Sequence, residues 1–234
     1  MTDSQRPALR AGIVPVTPFE QNCTLLWCQA TRKAAVIDPG GDVARILDVV
    51  KQFEADDKAK ITVDRIWLTH GHIDHAGGAA ELKEALGGVA IEGPHEADKF
   101  LLENLKKQGQ AYGIEARNVL PDRWLAENDM VTLGELKFRI LFCPGHSPGS
   151  VVFVFEEPGP GGKPVARYAQ MGDVLFKGSI GRTDLPYCDH DALINAIKTK
   201  IFPLGDDVPF IPGHGEPSTI GEERRSNPFV GEGT

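Results

Sequence analysis

The chain has 234 residues, with 25 Lys and Arg against 33 Asp and Glu and a formal net charge of -8. That length suits one large domain or two tightly packed half-domains, and the acidic balance argues against nucleic-acid and anionic-membrane partners. Residues 1–12 lack a signal-like apolar run and no segment approaches the ~20 apolar residues of a membrane span, so the expected location is the cytoplasm.

In chain order, "GIVPVT", "TLLWC" and "KAAVIDPGG" read as strands, the last ended by Pro39, Gly40 and Gly41. "DVARILDVVKQF" places Val43, Ile46, Leu47, Val50 and Phe53 on one helical face, with Asp42 expected as its N-cap. "ITVDRIWLT" reads as a buried strand, "GGAAELKEALGG" as a helix stopped by Gly87 and Gly88, and "VAIEGP" as a short strand. "HEADKFLLENLKKQ" is predicted as one amphipathic helix, and "AYGIEARNVLPDRW" as a connection without period. Three antiparallel strands are expected in "MVTLGELKFRILFCPGHSPGSVVFVFEE", then an exposed "PGPGGKP" loop and a strand in "VARYAQMGD". A helix in "DHDALINAIKTKIF", a strand in "VPFIPGHG" and a short helix in "STIGEERR" complete two successive halves, each a sheet faced by helices. Cys23, Cys28, Cys143 and Cys188 form no C-x-x-C pair and read as buried or free thiols.

The chemistry concentrates at strand ends. Of seven histidines, three fall with an aspartate inside "HGHIDH", His70 to His75, on a strand-to-helix loop. His146 in "CPGHSPG", Asp173 in "QMGDVLF" and His214 in "IPGHGEP" each end an apolar strand beside glycine, where layered α/β folds gather their sites. His70, His72 and His146 offer three imidazole nitrogens; Asp74, His75 and His214 offer a carboxylate and two imidazoles; Asp173 has two oxygens able to bridge. Imidazole and carboxylate without thiolate suit Zn, Fe or Mn, and two divalent ions roughly 3.5–4 Å apart leave room for a hydroxide nucleophile between them. A closed structural zinc site would instead favour cysteine-rich ligation.

"THGHIDHAGG", followed by "CPGHSPG", "GD" and "PGHG", resembles the ligand signature of the metallo-β-lactamase fold superfamily from about Gly12 to His214. "FKGSIGRTDLP" and "GEERRSNPF" are similar to the short bacterial glyoxalase II-like, or hydroxyacylglutathione hydrolase-like, enzymes of that superfamily. The resemblance implies an α/β fold, an αββα sandwich of two mixed sheets with outer helices, forming a single domain over residues 1–234. It assigns His70, His72 and His146 to one metal, Asp74, His75 and His214 to the other, and Asp173 to the bridge. Asp74 and Asp173 then serve catalysis as well as ligation, Asp74 by orienting the hydroxide. Superfamily β-lactamases usually carry Cys or Ser where Asp173 stands, which favours other substrates.

The activity implied is hydrolysis of S-lactoylglutathione or a related acyl thioester, a small-molecule substrate. Longer glyoxalase II enzymes add a C-terminal helical region that contributes basic residues to glutathione, whereas 234 − 214 = 20 residues follow His214 here. No such added domain is expected, and substrate anchoring falls to Lys177 and above all Arg182, whose planar fork suits a carboxylate. Arg182 tying down its own loop through Asp184 is the competing role. His95 and His190 read as ordinary polar residues, Arg224 and Arg225 as surface pairs, and Tyr187 and Cys188, close to the expected substrate loop, as packing residues with pocket lining the alternative. Two other functions fit the motifs: a persulfide dioxygenase using one iron on His70, His146 and Asp173, and a non-catalytic metal-binding protein.

Overall fold

The computed structural model describes residues 8–234. Three strands open it, β1 (Leu9–Val16), β2 (Gln21–Cys28) and β3 (Lys33–Ile37), followed by helix α1 (Val43–Asp57) and strand β4 (Thr62–Trp67). Helices α2 (Ile73–Ala76) and α3 (Ala79–Ala85) lead to β5 (Ala90–Glu92), and α4 (Lys99–Leu102) and α5 (Leu105–Tyr112) follow. The second half comprises β6 (Met130–Leu133), β7 (Leu136–Phe142), β8 (Val151–Pro158), β9 (Pro164–Gly172), β10 (Leu175–Phe176), β11 (Ser179–Ile180), α6 (His190–Ala196), β12 (Pro209–Pro212), β13 (Ser218–Thr219) and α7 (Ile220–Ser226).

The first sheet has the order β1-β2-β3-β4-β5 and the second β13-β12-β9-β8-β7-β6, while β10 and β11 form a separate small hairpin. Both sheets are mixed, because β3, β4 and β5 run parallel in one and β9 and β12 run parallel in the other, among antiparallel pairs. Alternation assigns each strand face to a layer. On β2, Cys23, Leu25 and Trp27 face the outer helices together with Val43, Ile46, Val50 and Leu82, while Leu26 and Cys28 face the other sheet. On β8, Val152 and Val154 pack toward Leu193 and Ile197, and Val151, Phe153 and Phe155 face inward. The layers are therefore helix, sheet, sheet and helix, as the resemblance implied. The seam between sheets is built on Trp67, stacked on Phe153 at 4.9 Å and edge-on to Phe138 at 5.0 Å.

Two local expectations are corrected. Asp42 precedes α1 with a left-handed φ of 51° and makes no side-chain cap; its Oδ2 instead accepts from the Thr17 N–H at 2.8 Å, tying the helix start to the β1–β2 turn. The predicted single helix over "HEADKFLLENLKKQ" breaks into a tight turn at Glu96–Asp98, α4 and α5. Asn104 takes the Phe100 carbonyl with its side-chain amide at 2.7 Å, an alternative to helical pairing that Asn offers the backbone. All four thiols are free, with Cys23, Cys28 and Cys143 buried and Cys188 half-buried.

Candidate metal centre

Strands β3 and β4 are parallel, as are β9 and β12, and β7 shares the direction of β9 because each is antiparallel to β8. Their C-terminal ends deliver Asp38, the His70–His75 segment, His146, Asp173 and His214 to one edge of the sandwich. Close backbone approach matters at two glycines there. A Cβ on Gly40 would overlap the Asp74 carbonyl, and one on Gly213 would strike Asp173 Oδ1.

All seven expected residues come together. His72 Nδ1 stands 3.0 Å from both His70 Nε2 and His146 Nε2. Asp74 Oδ2 is 3.1 Å from His214 Nε2 and 3.7 Å from His75 Nε2. Asp173 lies between the two groups, with Oδ1 3.3 Å from His75 Nε2 and Oδ2 3.5 Å from His146 Nε2 and 3.7 Å from His214 Nε2. Each triad has ligand-type atoms within 4.8 Å of one another. His70, His75 and Asp38 form a third such group, but Asp38 already accepts from Thr69 N at 2.7 Å, Thr69 Oγ1 at 2.6 Å and His75 Nδ1 at 2.9 Å.

The outer ring nitrogens reveal what the inner ones are for. His146 Nδ1 donates to the Arg182 carbonyl at 3.0 Å, His214 Nδ1 to the Phe19 carbonyl at 3.2 Å, and His75 Nδ1 to Asp38. Thr69 gives its hydroxyl proton to Asp38, so its oxygen accepts from His70 Nδ1 at 3.0 Å. These acceptors fix the outer proton and turn Nε2 inward as the position a cation can take, the arrangement typical of metal-binding histidines. His72 has the converse arrangement, with Nδ1 inward and Nε2 on the Tyr187 hydroxyl at 2.8 Å. His75 Nε2 and Asp173 Oδ1 are buried and attract one another as charges without being aligned for a hydrogen bond. Convergent lone pairs, two carboxylates and buried polar atoms left unpaired fit a divalent ion better than a self-contained polar network.

Electrostatics divides the cluster. Burial, reinforced by the charges of His75 and His72, pushes His70 well below the usual imidazole value; burial and His146 take His72 to about 3, and burial lowers His146. Burial opposes protonation of His75 too, but Asp173 and Asp74 raise it well above its usual value. His214 is raised against burial by its hydrogen bond to Asp74 and the charge of Asp173. Burial alone would raise Asp173 and Asp74, yet the charge of His75 holds both low. Three imidazoles thus stay neutral, and the other group attracts positive charge.

The site opens into a cavity of about 740 Å³ whose walls include Phe19, Phe100, Leu101, Phe176, Leu185 and Tyr187. Arg182 also lines it, but its guanidinium is clamped by Asp184 through Nε at 2.7 Å and NH2 at 2.8 Å, the loop-tying role named above. Lys177 is corrected: it does not line the cavity, and its ammonium pairs with Glu216 at 2.6 Å on the surface. His95 accepts from Ala97 N at 3.2 Å and His190 bonds Thr183 at 3.1 Å, both away from the cluster as expected.

Two carboxylates escaped the sequence reading. Asp38 supports His75 and Thr69. Buried Asp98 joins the two histidine loops by accepting from Gly71 N at 2.8 Å, Ser147 Oγ at 2.8 Å and Gly149 N at 2.6 Å. The sole signal for Asp38 was its place at a strand end before "PGG"; Asp98 had none, because its partners lie 27 and about 50 residues away.

Comparison with known proteins agrees with this geometry. The family model of the Metallo-beta-lactamase superfamily matches residues 16–214. The hydroxyacylglutathione hydrolase GloC of Haemophilus influenzae is 44% identical over 220 residues, covering 93% of this chain and 96% of that protein. The crystal structure of BLEG-1 B3 metallo-beta-lactamase gives a TM-score of 0.79 at 30% identity, covering 94% of this chain and 99% of that one. That of TTHA1623 in a di-iron-bound form gives 0.77 at 34% identity, covering 94% and 100%. On sequence, fold and the arrangement of its strand-end histidines alike, the chain belongs to the metallo-beta-lactamase superfamily.

Proposed function

We propose that the protein is a metal-dependent thioester hydrolase of the glyoxalase II type, cleaving S-lactoylglutathione or a related acyl thioester. The observation that carries the reading is the pair of inward-facing triads, His70, His72, His146 and Asp74, His75, His214, with Asp173 between them at the floor of a cavity large enough for a small thioester. Two divalent ions, Zn or alternatively Fe or Mn, are the proposed occupants. When bound, such ions supply a water of lowered pKa and polarise a carbonyl. The 44% identity to a hydroxyacylglutathione hydrolase over nearly the whole chain supports a hydrolase and points to this substrate class.

The chain's own residues supply the rest. Among the described residues no serine or cysteine lines the cavity, which favours water over a serine hydroxyl or cysteine thiol as the nucleophile. Asp74, held as a carboxylate, accepts and orients a proton of the attacking water. The Tyr187 phenol, pushed up to about 12 by burial, stays protonated at neutral pH beside His72. Phe100 packs edge-on to Tyr187 at 5.4 Å and helps keep bulk water from that wall. Among the described residues no helix is long and apolar enough to cross a membrane.

Metal-reconstituted protein is expected to carry about two ions per chain and to release glutathione from S-lactoylglutathione at equal rates in air and under nitrogen. Asp173→Asn lowers both metal content and turnover, whereas His190→Ala leaves metal content unchanged. Iron-dependent oxygen uptake with glutathione persulfide, without thioester cleavage, would overturn the hydrolase in favour of a dioxygenase.

A further inference from the structure

Apart from the metal-facing groups, the charged residues of the cavity wall are Arg182 and Lys107. Arg182 is neutralised by Asp184. The Lys107 ammonium, by contrast, has no carboxylate or hydrogen-bond partner among the described residues. It sits on α5, three residues after the N-cap Asn104, and Gln108 follows four residues after that cap; all three line the cavity. Both amides are pre-oriented. Asn104 Nδ2 donates to the Phe100 carbonyl at 2.7 Å and Gln108 Nε2 to the Leu101 carbonyl at 2.8 Å. One N–H of each amide is thus engaged, while neither amide oxygen has a partner among the described residues. The face presents one cation flanked by two unpaired amide oxygens, each beside one remaining amide N–H.

That pattern complements a zwitterion. We propose that Asn104, Lys107 and Gln108 hold an α-amino-acid head group carried by the thiol half of the substrate. Lys107 takes its carboxylate, and the two amide oxygens accept from its ammonium. The head group rests on α5, and the apolar walls of Phe19, Phe100 and Leu101 flank the stem that leads to the reacting carbonyl. Recognition by a zwitterion-binding face explains how a thiol such as glutathione is selected while Arg182 stays locked to Asp184. The catalytic use of this face rests on the thioesterase reading; its binding of the head group does not.

Two thioesters with the same lactoyl group separate the alternatives, one on glutathione and one on N-acetylcysteamine, which lacks the head group. Lys107→Ala is expected to raise KM for the glutathione thioester about tenfold with kcat little changed, and to leave KM for the N-acetylcysteamine thioester as in the wild type. Lys107→Arg should restore most of the difference. In parallel, equilibrium binding of S-hexylglutathione, which has no thioester to cleave, should weaken by a similar factor in Lys107→Ala. Equal losses on both thioesters, or an S-hexylglutathione affinity that ignores Lys107 or is absent in the wild type, overturn the head-group site. A wild type that binds S-hexylglutathione through Lys107 but cleaves neither thioester overturns the hydrolase reading alone.

Discussion

Asp98 is enclosed by the protein, and its carboxylate accepts three hydrogen bonds that join the loop carrying His70 and His72 to the loop carrying His146. Burial raises its pKa to about 6 despite those donors. A folded-state value above the ordinary carboxylate value of ~3.9 means that the folded protein holds this proton more tightly. Its stabilising contribution is therefore complete below about pH 4 and declines as pH rises through about 6. Asp98→Ala removes that slope and, at neutral pH, strands the Gly71 and Gly149 N–H groups at a cost of about 2 kcal/mol. Denaturant titrations between pH 4 and 7 check both; parallel wild-type and variant curves would assign the slope elsewhere. The histidines were legible because "HGHIDH" concentrates ligand types within six residues. Asp98 and Lys107 were not, since what distinguishes them is which distant groups the fold brings near them or keeps away.

Elements were legible where periodicity and local stop signals agreed. Strand β2 and helix α1 follow their apolar patterns, and α3 stops at Gly87 and Gly88, both at positive φ. The β10–β11 hairpin was hidden because two-residue strands carry no period; it turns at Gly178, φ 69°, whose N–H is held by Glu223 at 2.8 Å. The four-residue helix α2 is too short to stand by its own hydrogen bonds. It is seated by the β3 exit, where Gly78 N–H bonds the Pro39 carbonyl at 2.8 Å and Gly40 packs against the Asp74 backbone. Gly40→Ala therefore displaces α2, with an expected loss of about 1–3 kcal/mol in stability and reduced metal occupancy, since Asp74 and His75 lie on α2. Thermal melts and elemental analysis measure the two effects. Unchanged occupancy would show that α2 tolerates the shift.

At the scale of the molecule, the proposed ligand set crosses the seam between the sheets. His70, His72, Asp74 and His75 follow β4 of the first sheet, while His146, Asp173 and His214 follow β7, β9 and β12 of the second. Ions bound as proposed would tie the two halves together and stabilise the folded state by mass action, about 4 kcal/mol at a thousandfold excess over Kd. Chelation is expected to lower Tm, and metal to restore it. Phe153→Ala, which removes the ring stacked on Trp67, is expected to cost about 3–5 kcal/mol, with part of the lost Tm recovered by added metal. A Tm indifferent to verified metal removal would show that the seam holds without help. The two-half organisation was readable from alternating strands and helices, but the seam was not. A continuous apolar run such as "VVFVF" does not say which residues meet the other sheet and which meet a helix.

The five imidazoles differ in the permanence of what holds them. His146 and His214 rest on the main-chain carbonyls of Arg182 and Phe19, which any amino acid would provide, whereas His70, His72 and His75 depend on the side chains of Thr69, Tyr187 and Asp38. Sequence drift at positions 19 and 182 can therefore resculpt the cavity wall while the rings behind it keep their aim; drift at 38, 69 or 187 disturbs the rings themselves. Positions 19 and 182 are thus where descendants of this chain are free to acquire new substrates and still inherit the same reaction centre.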